Sequence, residues 1–193
     1  MADAHKNRYS ATWQRHDLLR LGIISLSFIV TVARCGADAT VEPGIVSPGE
    51  PVPGGQAPDF ILRDMDKNLV RLSDFRGVPV ILNFFASWCG PCLTELPLIQ
   101  EVHLKAEDQG YAVLGIVFQD SRGAIKALAE AENLTFPMVI DGDDSVGRAY
   151  RVIGPPYTFF IDSTGTVVSV VAGAMEKQTL EENLTQLLAK QPG

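Results

Sequence analysis

Hydrophobic and polar positions along this chain alternate between two periods. Val78–Ala86 and Tyr111–Gln119 are almost wholly apolar, as expected of strands buried on both faces of a sheet. Between them Leu96, Ile99, His103 and Ala106 recur at helical spacing, and Gly110 follows as a stop, which predicts a helix ending near Gln109. Pro97 inside it predicts a kink without termination. His103 on that face reads as a packed or half-exposed side chain rather than a base. Upstream, Asp59–Arg63 and Asn68–Leu72 flank Asp64-Met65-Asp66-Lys67, the pattern of a hairpin. Leu72-Ser73-Asp74-Phe75 reads as a helical turn closed by Gly77. Downstream come a helix over Ser121–Ala131 capped by Ser121, a short strand over Met138–Ile140 and a short helix over Ser145–Tyr150. Tyr157–Ile161 and Val167–Ala172 surround the turn Asp162-Ser163-Thr164-Gly165 and form an antiparallel pair. Leu180, Leu184, Leu187 and Leu188 give the last helix one apolar face. Strand–helix alternation followed by a hairpin and a helix predicts an α/β domain, a mixed central sheet with helices on both faces.

The chain has two further zones before this body. Leu21–Ala33 is an uncharged apolar run preceded by Arg8, Arg15 and Arg20. Its 13 residues rise about 20 Å as a helix, short of a bilayer core of about 30 Å. Leu18 and Leu19, with Arg20 snorkelling, extend it to a marginal span, and the basic flank orients the body outside. The leading reading is an uncleaved signal anchor. A cleaved signal peptide cut after Ala39, in Ala37-Asp38-Ala39, is the second. A lipid-modified Cys35 is the third, although Arg34 is out of place in such a box. All three put the body outside the cytoplasm. Val41–Pro58 holds Pro43, Pro48, Pro51, Pro53 and Pro58 with Gly44, Gly49, Gly54 and Gly55, a composition expected to be an extended or flexible spacer that does not pack a core. The predicted organisation is a signal or anchor segment over 1–39, a linker over 40–56 and a folded domain over 57–190.

Composition narrows the function. The 193-residue chain carries 16 basic and 23 acidic residues, a net charge of -7, which argues against nucleic acid as a partner. Five basic and three acidic residues fall in 1–39, leaving 11 and 20 in the rest, so the body is the acidic part. Cys35, Cys89 and Cys92 are the only cysteines; they make no disulfide scaffold, and Cys89 pairs naturally with Cys92.

The chemistry concentrates in Trp88-Cys89-Gly90-Pro91-Cys92, which leaves an apolar strand and opens a helix. Free N–H groups and the dipole at a helix N-terminus stabilise a thiolate. A thiolate beside its own resolving thiol suits thiol–disulfide exchange. Cys89, the outer thiol, attacks a substrate disulfide, and Cys92, one turn on, resolves the mixed disulfide. Gly90 and Pro91 permit the tight first turn.

These segments together resemble the thioredoxin fold. More narrowly they resemble the TlpA/ResA-like thiol–disulfide oxidoreductases of the redoxin, AhpC/TSA-related group. The resemblance runs from about Ala57 to Leu188. It rests on Ala57-Pro58-Asp59-Phe60, Leu72-Ser73-Asp74-Phe75-Arg76-Gly77, Leu82 through Cys92, Glu95-Leu96-Pro97, and Pro156 through Asp162. It implies a thioredoxin-like fold with an N-terminal hairpin and a central insertion over 121–150. It also implies a cis-proline at Pro156 facing the cysteines, and a groove formed by Trp88, Gly90, Pro91, Pro155 and Pro156. Which of the two prolines is cis stays open. Pro155 stands where the group offers a substrate strand both N–H and C=O. It has only the C=O, so strand addition loses one bond. Asn83 stands where thioredoxin has a buried acid. Glu95 resembles the group's acid near the pair, with a role as proton acceptor for Cys92 and a pKa tuned by partial burial; its alternative is a solvated Glu near the helix start. Trp88 shields the pair and shapes its rim, or is ordinary core.

No cofactor beyond the Cys89–Cys92 redox disulfide and no metal is expected. Implied partners are protein dithiols or disulfides and a membrane-embedded electron donor. Reduction of apocytochrome c before haem attachment is implied by the resemblance alone. Gly90-Pro91 resembles the reducing thioredoxins, which favours a reductant. Two rival functions compete with this reading. A peroxiredoxin-like peroxidase needs Pro and Thr or Ser at places held here by Leu82 and Ala86. A metal-binding chaperone has only one Cys-x-x-Cys, and His5, His16 and His103 fit it poorly.

Overall fold

The computed structural model describes residues 42–190. The apolar run 21–33, Cys35, His5 and His16 lie outside the described residues. Among those described, no helix is long and apolar enough to cross a membrane.

One mixed sheet organises the domain. Its strands are β1 (Gly44–Ser47), β2 (Asp59–Asp64), β3 (Leu69–Arg71), β4 (Val80–Phe85), β5 (Ala112–Phe118), β6 (Met138–Asp141), β7 (Tyr157–Ile161) and β8 (Val167–Ala172). They lie in the order β1-β2-β6-β5-β4-β7-β8, with β3 paired to β2. β4 and β6 run parallel to β5, while β7 is antiparallel to β4 and β8. The helices are α1 (Gly90–Gln109), α2 (Arg122–Ala131), α3 (Ser145–Ala149) and α4 (Lys177–Ala189), with a 3-10 turn over Leu72–Phe75. The expected hairpin, paired strands and helices are therefore present. α1 continues through Pro97 and stops at Gly110, whose φ of 75° is a left-handed cap that glycine adopts without a Cβ clash.

The central strand β4 is buried along its whole length, so its side chains enter two interiors in turn. Ile81 and Phe85 join a cluster with Cys89, Cys92, Leu96, Ile99, Ile125, Phe160, Leu180 and Leu187, which packs α1, α2 and α4 on one face. Val80, Leu82 and Phe84 join Phe60, Leu62, Leu114, Val146, Tyr150 and Phe159, with α3 on the other.

The spacer expected over 40–56 is corrected by the structure. Residues 44–47 form β1 and pair with β2, and Pro51 is buried. Gly54 N–H donates to Val167 O and Val167 N–H to Gly55 O, both at 2.8 Å, and Glu50 N–H donates to Gln56 O at 2.7 Å. A Cβ on Gly55 would stand 2.2 Å from Glu50 O, and one on Gly49 2.3 Å from Gln56 O. The glycines thus permit close backbone approach rather than slack, and the segment is stitched to the β7–β8 hairpin.

Candidate active site

The site forms where β4 hands the chain to α1. Cys89 is the N-cap of α1, in extended backbone, and its Sγ accepts from Cys92 N–H at 3.2 Å. One of the free N–H groups of the helix start is therefore aimed at the first sulfur. Pro91 sits in the first turn, where its missing N–H leaves no gap in the helix ladder. Cys89 and Cys92 form a disulfide with an S–S distance of 2.03 Å and a Cα–Cα distance of 5.2 Å. Cys89 retains 4% exposure and Cys92 none. Of the two sulfurs the first thus belongs to the residue that keeps some exposure, and the second to the one that is sealed.

The strand opposite completes the rim. The Pro155–Pro156 peptide bond is cis, which resolves the open choice in favour of Pro156. Cys89 Sγ lies 3.4 Å from the Pro155 carbonyl oxygen. Pro156 is buried and Pro155 half-buried, and Pro156 O accepts from Gly173 N–H at 2.9 Å. Trp88 is 58% exposed, so it belongs to the rim and not to the core. Its Nε1 donates to Gln119 O at 3.3 Å. Ile153 is 92% exposed two residues before Pro155, an apolar side chain that strand periodicity did not single out.

One turn of α1 beyond Cys92 a buried polar network joins β4, β7 and α1. Asn83 and Thr158 are register partners on β4 and β7, and both are fully buried. Asn83 Nδ2 donates to Glu95 Oε1 at 2.8 Å and to Thr158 Oγ1 at 2.9 Å. Glu95 Oε2 accepts from Met175 N–H at 2.8 Å. Glu95 is 1% exposed, so the expectation of partial burial is corrected: its position on the inward face of α1, one turn beyond Cys92, encloses it. Neither of its hydrogen bonds goes to Cys92. Desolvation pushes its carboxyl above the ordinary value of 4.5, against the lowering effect of the Met175 and Asn83 donors. His103 lies edge-on to Phe136, and burial lowers its pKa; it is a packed side chain on α1 away from the cysteines.

A brace from the neighbouring loop was not foreseen. Ser87 N–H and Oγ donate to Asp120 Oδ2 at 2.7 and 2.6 Å. Together with the Trp88–Gln119 bond, this pins the two residues before Cys89 to the end of β5. The signal lay in Gln119-Asp120-Ser121, polar residues closing an apolar strand, but their partners are 31 and 33 positions away in sequence.

The arrangement offers a thiolate-stabilising helix start, a second cysteine one turn on and an enclosed acid one turn beyond that. The AhpC/TSA family pattern matches residues 53–170. The thiol-disulfide oxidoreductase ResA of Geobacillus kaustophilus is 40% identical over 134 residues, spanning 69% of this chain and 77% of that protein. ResA of Bacillus subtilis is 32% identical over 155 residues, spanning 80% and 87%. Among solved structures, a Chlorobium tepidum protein described as a thiol:disulfide interchange protein DsbE superposes with a TM-score of 0.65 at 31% identity. It covers 69% of this chain and 95% of its own. The order of the strands, the paired cysteines at the start of α1 and these relatives agree: the chain belongs to the AhpC/TSA family and, within it, to the ResA-like thiol–disulfide oxidoreductases of thioredoxin-like fold.

Proposed function

We propose that this oxidoreductase acts as a reductant of protein disulfides outside the cytoplasm. Cys89 is the attacking sulfur, Cys92 the resolving one, and Glu95 the acceptor of the Cys92 proton. Trp88, Gly90, Pro91, Pro155 and Pro156 border the groove in which the substrate cysteine lies. The observation that carries this reading is Cys89 at the N-cap of α1, its Sγ receiving the Cys92 N–H. That donor stabilises a thiolate on the sulfur that solvent and substrate can reach. Gly90-Pro91 between the cysteines supports reduction, because it resembles the reducing thioredoxins, whose potentials lie near about -270 mV, far from the oxidising extreme near about -120 mV.

The location rests on the basic-flanked apolar run over 21–33, and it requires an electron donor in the membrane to restore the dithiol. Apocytochrome c thiols are the substrate that the resemblance to ResA suggests. Replacing Cys92 with Ala leaves Cys89 unable to release what it captures. The variant, expressed in the native cell envelope, is expected to accumulate mixed disulfides with extracytoplasmic proteins, c-type apocytochromes among them. Their absence from that fraction, or adducts confined to cytoplasmic proteins, overturns the proposal. Equilibration with a glutathione buffer is expected to give a potential closer to the reducing value.

A further inference from the structure

Asn83 Oδ1 is fully enclosed and has no hydrogen-bond partner. A buried orphan acceptor beside a buried acid calls for a physical explanation. In the arrangement described, both Glu95 oxygens face donors: Oε1 faces Asn83 Nδ2 and Oε2 faces Met175 N–H. That suits a carboxylate. A carboxylic acid in the same place has an O–H with nothing to receive it. The Met175 donor is a backbone N–H and cannot reverse, so the proton belongs on Oε1, facing Asn83. A half-turn of the Asn83 amide exchanges Nδ2 for Oδ1 at that position. Oδ1 then accepts from Glu95 O–H and from the Thr158 hydroxyl, which can donate as readily as accept. The amide nitrogen takes the unpartnered place, which keeps the flipped arrangement the costlier of the two.

We propose that Asn83 is a positioning residue that follows the proton on Glu95, donating to the carboxylate and accepting from the acid by a half-turn of its amide. The proposal rests on the proton-acceptor role assigned to Glu95 above. In the resolving step, the Cys92 proton passes to the Glu95 carboxylate. The Cys92 sulfur then bonds Cys89, the mixed disulfide breaks and the substrate sulfur leaves as a thiolate, so the substrate has gained two electrons and the pair has lost them. The amide turn gives the newly formed acid a partner at that moment. Aspartate at position 83 offers no donor to the Glu95 carboxylate, and leucine offers neither donor nor acceptor.

The groups facing Glu95 are Asn83 from β4, with Thr158 of β7 behind it, Met175 N–H from the β8–α4 loop, and Cys92 on its own helix. None of the described groups that shift Glu95 is charged. The oxidised whole chain is therefore the right test material, because neither cysteine then titrates. The Asn83 15Nδ2 shift and the Glu95 13Cδ shift are followed by NMR against pH. Both are expected to move with a common midpoint above 4.5. Glu95→Gln is expected to abolish the Asn83 change. Asn83→Leu is expected to raise the Glu95 midpoint by about one pH unit, a tenfold change in acidity. An Asn83 signal that ignores the Glu95 titration, or one that persists in Glu95→Gln, overturns the proposal. The wild-type titration decides alone if Asn83→Leu does not fold. Protein-disulfide reduction is measured separately on reduced wild type, so its failure removes the proposed function without touching the titration.

Discussion

Alternate residues of β4 enter two interiors that are equally buried and differently furnished. Towards α3, Val80, Leu82 and Phe84 meet an aromatic cluster in which Tyr150 contacts Phe60, Phe84 and Phe159. Tyr150 and Asp141, both buried on that side, have fixed backbone partners. Tyr150 OH donates to Pro58 O at 2.8 Å, and Asp141 accepts from Val146 and Gly147 N–H at 3.3 and 2.7 Å at the start of α3. Towards α1, Ile81 and Phe85 bracket Asn83, whose partners are side chains that can change their hydrogen-bonding sense. Polar groups that must only be satisfied are paired with backbone. On the α1 side Glu95 keeps one backbone donor, Met175 N–H, and one side-chain partner, Asn83, that can reverse its sense. The difference separates structural from chemical burial within one strand.

The comparison is broken most forcefully from the structural side. Phe84→Ala removes a fully buried ring and is expected to lower stability by about 3–5 kcal/mol, read from urea unfolding. The rate of disulfide reduction per folded molecule is expected to stay near wild type, because Phe84 points away from the cysteines. A loss of rate well beyond the loss of folded protein means that the two interiors are coupled through β4.

A second variant sharpens the chemical side. Burial raises the Glu95 pKa in the folded state, so the native protein holds that proton to higher pH than the unfolded chain does. The sign follows from linkage: the stabilisation is complete below the unfolded value near 4.5 and is lost as pH rises towards the folded pKa. His103 acts oppositely, because burial lowers its pKa from 6.5; its contribution is lost as pH falls through its folded value. Glu95→Gln is expected to make the decline with rising pH shallower, leaving the part due to Asp141, whose carboxyl burial also raises, and to leave the His103 decline on the acid side. Thermal melts of both proteins over that range check it, and parallel curves refute it.

The order of elements was readable because apolar runs, helical spacing and turn residues act locally. The redox pair was readable because both cysteines and the helix start lie within five residues. The 40–56 segment was misread for an equally physical reason. Proline and glycine there report local backbone freedom, while the segment folds back on itself at Gly49 and Gly55, against Gln56 and Glu50, and its ladder to Val167 depends on chain more than a hundred residues away. Glu95 was found by its place after the cysteines, but its enclosure was not, since Asn83, Thr158 and Met175 reach it from β4, β7 and the loop after β8. The Asp120 brace escaped for the same cause: an aspartate before a helical serine reads as ordinary capping until Ser87 is folded against it.

The smallest expected effect tests whether the backbone-paired polar groups are as passive as their partners imply. Tyr150→Phe keeps the ring within its aromatic cluster and deletes only the hydroxyl that serves Pro58 O. The lost bond and the unpaired carbonyl are expected to cost about 1 kcal/mol, measured as a shift of the urea midpoint at constant slope. Pro58 sits where the stitched segment enters β2, so amide exchange over residues 54–58 is expected to quicken with it. The Glu95 titration is expected to keep its wild-type midpoint, because β4 stands between Tyr150 and the acid. A displaced midpoint would show that a hydroxyl on one face of the strand is felt by a carboxyl on the other, and the division between structural and chemical burial would then fail at its most conservative substitution.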